Sequence, residues 1–151
     1  MRGRRKAREI ALQVLYGLNF VDIDVQKALD LFWGNFVAPK SAKEFAAFLV
    51  HGTCEHKEEL DNLIAGCSDN WSLGRMSKVD INILRLAVFE FLYCDDIPPK
   101  VTLNEAVDLG KTFGSENSGS FINGILDALN LKINKKNATD TLDRKPGSSK
   151  T

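Results

Sequence analysis

Residues 79–93, VDINILRLAVFEFLY, constrain the fold more than any other stretch of the chain. The segment is apolar on almost every side at helical spacing, and a helix without a solvent face has to be surrounded by other helices. Arg85 and Glu90 interrupt it. A buried charge without a partner is costly, so each is expected to be paired, with Arg85 to Glu105 as the expected structural pair. Asp95, Asp96, Pro98 and Pro99 stop the helix, because proline lacks an amide proton and restricts the residue before it.

Helical periodicity extends to both sides. Ala7, Ile10, Ala11, Val14, Leu15 and Leu18 mark a first amphipathic helix, and Val25, Ala28, Leu29, Phe32 and Phe36 a second. Ser41 with Glu44 reads as a capping box that opens a long third helix, carried by Phe45, Leu49, Gly52, His56, Leu60, Leu63 and Ile64 to about Gly66. Ser77 with Asp80 repeats the cap signal before the central helix, and Thr102 with Glu105 repeats it before a fifth helix, Leu103 to Phe113. Gly114 suits a left-handed stop. The sixth helix, about Ser118 to Leu131, carries Phe121, Ile122, Ile125, Leu126 and Leu129, and Gly124 within it suggests a close helix contact. Nothing alternates with period two for long enough to make a sheet. The expected fold is all-α, with three helices on either side of residues 66–75 forming two packed subdomains. Residues 1–131 are expected to form one helical domain. Residues 132–151 are too polar to fold alone and read as a mobile tail.

With 151 residues, 44% of them hydrophobic, the chain is long enough for one respectable core. No apolar run approaches the roughly twenty residues needed to cross a bilayer, so a soluble, cytoplasmic protein is expected. Cys54, Cys67 and Cys94 lack a CxxC pair and suit reduced, buried thiols. The 20 basic and 20 acidic residues cancel in total but not in space. Residues 1–8 carry five basic groups and no acid, residues 132–151 carry six basic and two acidic, and the body between them holds nine basic and eighteen acidic. A basic end seeks polyanions such as RNA, whereas an acidic body suits a basic protein.

Catalytic chemistry does not assemble from these residues. GSENSGS, residues 114–120, follows a helix and lacks the Lys-Ser/Thr ending of a P-loop. His51 and Cys54 could begin a metal site, but no second pair completes it. His56 lies on the apolar stripe, where a hydrogen-bonded structural role is expected. No enzyme activity, cofactor or metal is therefore expected. The basic end offers a binding surface instead. If residues 5–18 are helical, Arg5, Arg8, Gln13 and Tyr16 lie away from the apolar stripe. Arginine pairs with phosphate and stacks on bases, and Tyr16 offers a ring for a splayed base. The start of the sixth helix, with Ser115 and Ser118, forms a candidate phosphate seat near Lys111 and Phe121, although core packing is the stronger expectation for Phe121 alone.

Four segments in register carry a resemblance: RRKAREIALQVLY; WSLGRMSKVDINILRLAVFEF; IPPKVTLNEAVDLGKTFG; and S-x-x-F-I-N-G-I-L-D. Together they resemble the NusB family of bacterial transcription antitermination factors, over nearly all of residues 4–131. The resemblance implies two three-helix subdomains and a non-catalytic factor that binds boxA single-stranded RNA of nascent ribosomal transcripts. It also implies a small-subunit ribosomal protein, NusE, as partner, in an assembly that helps RNA polymerase resist termination. Carried over by position, the RNA contacts fall on Arg4, Arg5, Lys6, Arg8, Gln13, Tyr16, Ser118 and Phe121, and the ribosomal-protein surface on Arg75, Asp80 and Glu90. Some relatives form homodimers that cover the RNA surface. Asn117 stands where many relatives have an acidic residue. The alternative is a helical protein-interaction adaptor with only non-specific RNA contact. Some RNA methyltransferases also carry a NusB-like domain, but this chain has no room for a methyl-donor domain.

Overall fold

The computed structural model describes residues 2–68 and 72–143. Among them are seven α-helices and no strand: α1 (Arg2–Leu18), α2 (Val25–Asn35), α3 (Lys40–Glu55), α4 (Lys57–Gly66), α5 (Lys78–Tyr93), α6 (Pro99–Phe113) and α7 (Ser118–Asp143), with a 3₁₀ turn at Leu73–Arg75 before α5. Helices α1, α2 and α3 pack on one another, as do α5, α6 and α7, which gives the two three-helix bundles. Helix α5 joins them by also packing on α1, α3 and α4. Its residues Asp80 to Glu90 are buried without a break, so the segment with no polar face is indeed the one with helices on every side. A single apolar core runs through both halves, from Ala7 and Ile10 in α1 to Leu126 and Leu129 in α7. Among the described residues no helix is long and apolar enough to cross a membrane.

Several local details differ from the sequence expectation. The long third helix is two helices, α3 and α4, separated by His56 with φ −103° and ψ 16°. The imidazole stacks on Tyr93 of α5 with ring centroids 4.3 Å apart, which fixes the break against the central helix. Ser41 and Glu44 do not form a capping box. Helix α3 already begins at Lys40, Pro39 occupies the cap position, and no side chain bonds the free amides. Thr102 does not cap a helix either: α6 starts at Pro99, where a proline's missing amide proton is harmless, and Thr102 lies buried inside it. The Ser77 cap is present, its hydroxyl accepting from the Asp80 amide at 3.0 Å.

Gly114 is extended, at φ −95° and ψ −161°, and is not a left-handed stop. Glycine is needed there for space, because a Cβ would overlap the Ser118 side chain. Gly124 faces open space and makes no close helix contact. Helix α7 continues past Leu131 to Asp143, since KINKKNATDTLD has no proline to end the backbone ladder. Residues 144–151 of the expected tail lie outside the described residues.

Candidate nucleic-acid interface

The arm is the first two turns of α1, and Arg4, Arg5, Lys6 and Arg8 within it have four different environments. Arg8 is not on the surface. It is 4% exposed and makes two hydrogen bonds to Glu90, Nε to Oε2 at 2.7 Å and Nη2 to Oε1 at 2.9 Å. Thr102 Oγ1 donates to the same Glu90 carboxylate at 2.9 Å, and Glu105 Oε1 lies 3.8 Å from Arg8 Nη1. Glu90 is itself 2% exposed. Neither residue is therefore available to RNA or to a protein partner: together they form an internal ion pair that locks α1 to α5 and α6. This corrects both assignments, and the same network displaces the expected Arg85–Glu105 pair. Arg85 instead makes a bidentate contact to Asp61 of α4, at 2.7 and 3.1 Å.

Arg5 and Lys6 are exposed, and Arg4 is partly so. Arg5 is held by α6, with Nε and Nη2 donating to Glu105 at 3.0 and 2.8 Å and Nη2 also to Asp108 at 2.8 Å. Hydrogen bonds and charge attraction from Glu105, followed by those from Asp108, raise the Arg5 pKa still further above its ordinary value. Arg4 points to the other side of α1. Its guanidinium lies over the Phe45 ring, 5.3 Å from the centroid, and donates to Asp96 at 2.7 Å. That hydrogen bond is the main reason the Asp96 carboxyl lies below its ordinary pKa. Lys6 has no ion-pair partner among the described residues. Of the arm cations Arg4, Arg5, Lys6 and Arg8, all but Lys6 are thus paired with carboxylates in the isolated protein.

Farther along α1, Gln13 and Tyr16 are exposed as expected. Tyr16 packs on Phe20 with ring centroids 5.0 Å apart, and Gln13 lines the groove between α1 and α2. Ser118 differs. It is buried, and its hydroxyl accepts from the Ser115 amide at 2.9 Å, so the proposed phosphate seat is filled by the chain's own loop. Phe121 is half-buried and lines a cleft of about 250 Å³ together with Arg75, Asp80, Ser115 and Asn117. Asp80 is buried there, and its Oδ1 has no hydrogen-bond partner among the described residues. Lys111 reaches the same end of the bundle, close enough that a Cβ on Gly119 would meet its Cγ at 3.1 Å. Residues expected to face RNA and residues expected to face a protein therefore meet at one cleft, joined to the arm through α6.

Sequence reasoning missed the carboxylate clamp of Glu105, Asp108 and Asp96. The signal available was the spacing of Glu105 and Asp108, one helical turn apart and so on one face of α6.

The model of the NusB family matches residues 5–130 of this chain. The chain belongs to the NusB family. Transcription antitermination protein NusB of Syntrophus aciditrophicus is 61% identical over 137 residues, covering 91% of this chain and 85% of that protein. Its namesake from Desulfatibacillum aliphaticivorans is 47% identical, over 88% of this chain and 93% of that protein. Among solved structures, T. maritima NusB is 39% identical with a TM-score of 0.78, covering 84% of this chain and 89% of that one. A crystal structure of the antitermination factors NusB and NusE in complex with double-stranded RNA matches at 31% identity and a TM-score of 0.78, over 87% of this chain and 98% of its counterpart. The matched residues include the NusB-family arm from Arg5 onward, the Arg8–Glu90 lock and the Phe121 cleft.

Proposed function

We propose that this chain is a transcription antitermination factor that binds boxA RNA of nascent ribosomal transcripts together with the ribosomal protein NusE, and so helps RNA polymerase resist termination. The observation that carries the reading is the likeness over most of the chain to the NusB of a NusB–NusE–RNA complex. The role is cytoplasmic and needs no catalytic step. RNA runs along the exposed face of Arg5, Lys6, Gln13 and Tyr16, with Arg4 at its edge, and continues past Lys111 to Phe121. The Arg75–Asp80 side of the cleft receives the basic ribosomal protein, with Arg75 as its exposed residue. Phosphate contacts supply affinity, while stacking and base-edge contacts supply selectivity.

The self-paired arm favours a second reading, an adaptor with only non-specific RNA contact. A competition titration separates the two. Under the first, boxA RNA displaces a labelled boxA strand at lower concentration than a scrambled strand of equal length. Under the second, the two compete equally. For the arm, the combined substitution of Arg4, Arg5 and Lys6 by Ala should lower the slope of log affinity against log salt by up to about 2, at roughly 0.7 per single-strand phosphate contact. An unchanged slope would remove the arm from the interface.

A further inference from the structure

The serine–glutamate pair at Ser41 and Glu44 does not cap α3, which leaves both side chains without the role their spacing suggested. They line a cleft of about 310 Å³ between the start of α1 and α3, with Gly3, Arg4, Phe45 and Phe48 as its remaining walls. Phe48 is 48% exposed on a helix whose inner face is packed, and its ring lies 20° from parallel to that of Phe45 at 6.3 Å. The Arg4 guanidinium also lies over Phe45, 5.3 Å from the ring centroid. Gly3 brings α1 close to α3 at this point: a Cβ there would stand 3.0 Å from Ser41 Oγ. The cleft thus combines the half-exposed ring of Phe48, which also packs on Phe89 at 5.3 Å and 59°, with a guanidinium, a hydroxyl and an exposed carboxylate, and Arg4 belongs to both the cleft and the basic arm.

We infer that this cleft is a nucleobase subsite that takes a guanine splayed from the RNA strand bound by the arm. An unstacked base needs a ring to lie on, which Phe48 supplies, and a partner for its edge, which Glu44 supplies. A carboxylate only accepts hydrogen bonds, so it selects a base edge rich in donors. Guanine presents two neighbouring donors, N1–H and the N2 amine, to the two oxygens of one carboxylate. Adenine and cytosine offer only an exocyclic amine beside an acceptor, and uracil offers a single N–H. The acid also repels phosphate, so a base enters and the backbone stays outside, near the arm. The inference rests on the reading of the arm as an RNA-binding surface.

The test is a two-by-two titration by fluorescence anisotropy, using the full chain and Glu44→Gln against boxA RNA and the same strand with every guanosine replaced by inosine. Inosine lacks only the N2 amine. The wild-type chain should bind the guanosine strand about tenfold more tightly than the inosine strand, the loss expected for one hydrogen bond to a charged group. E44Q should bring the two strands to within about twofold of each other while leaving the salt slope unchanged. Phe48→Ala should weaken both strands. Equal binding of the two strands by the wild-type chain, or discrimination that survives in E44Q, would overturn the subsite. Indifference to inosine, with a salt slope that is still lowered by the combined substitution of Arg4, Arg5 and Lys6 by Ala, would overturn the subsite and leave the arm reading standing. Loss of both effects would sink the arm reading as well.

Discussion

Replacing Glu90 with Gln should destabilise the fold strongly, although the change is nearly isosteric. The wild-type carboxylate accepts three hydrogen bonds, from Arg8 Nε, Arg8 Nη2 and Thr102 Oγ1, all buried. In Gln one acceptor becomes an NH₂ donor facing donors, and the Arg8 charge keeps only the Glu105 oxygen at 3.8 Å. Breaking a buried ion pair by removing one partner costs about 3–5 kcal/mol. The remaining Glu105 contact places the expected loss at the lower end, about 3 kcal/mol. For a domain of this size that corresponds to a fall in Tm of roughly 6–12 °C. Urea denaturation of E90Q, followed by circular dichroism, should show the midpoint falling with the slope unchanged. The double variant R8M/E90L removes both charges and should return to within about 1 kcal/mol of the wild-type chain, because hydrophobic replacement of a whole pair is tolerated. A loss below about 0.5 kcal/mol in E90Q, or a double variant less stable than E90Q, would refute the lock between α1 and α5.

Gly52→Ala should cost about 1–3 kcal/mol, because its Cβ would overlap the Phe89 ring, whereas Gly124→Ala, with open space around it in α7, should gain up to about 1 kcal/mol. Thermal melts of the two variants check the contrast. Burial first, then Glu90 and Asp96, push the Cys94 thiol from 9.0 to about 12, and the hydrogen bond to Glu59 raises the Tyr93 hydroxyl. Their raised values give stability that is complete below the unfolded pKa and lost as pH climbs toward the folded one. Stability should therefore decline from about pH 9 to 12, more gently in Cys94→Ala, as followed by urea midpoints across that range. Asn117→Asp adds a carboxylate to the cleft that already holds Asp80, so it should weaken RNA binding several-fold at low salt and less at high salt, measured by filter binding.

The helices were legible where a physical signal is local. The apolar run of α5 and the Ser77 cap each declare themselves within a few residues, and both stand in the structure. The break at His56 was not legible, because one non-helical residue barely shifts the phase of the apolar stripe and α4 resumes on the same side. The cap motifs at Ser41 and Thr102 misled because a cap depends on where the chain enters the helix, which prolines at 39 and 98–99 had already fixed. Arg8 was the consequential miss. Its partner lies 82 positions away, so nothing nearby marks it as internal. The available clue was Glu90, an acid in the apolar second half of α5, which requires a buried cation from elsewhere. Pairing Arg85 with Glu105 by proximity in sequence used up the wrong charge.

The pairing of the arm decides which of its cations report on RNA. A cation that meets a phosphate releases condensed counterions, which gives the slope of affinity against salt. Lys6 is exposed and unpaired, so its contact should contribute the full value of about 0.7. Arg5 has to leave or share Glu105 and Asp108. Carboxylates released in this way gather cations from solution and offset those lost by the phosphate. The exchange of one exposed ion pair for another is also nearly neutral in energy, since such pairs are worth about 0–1 kcal/mol. Lys6→Ala should accordingly flatten the slope by about 0.7, and Arg5→Ala by clearly less. Replacing Glu105 and Asp108 by Gln and Asn should restore the full contribution of Arg5 and strengthen binding at low salt. Equal flattening by K6A and R5A in the otherwise unaltered chain would show that the carboxylate clamp does not persist in solution, and would return Arg5 to the status of a simple phosphate contact.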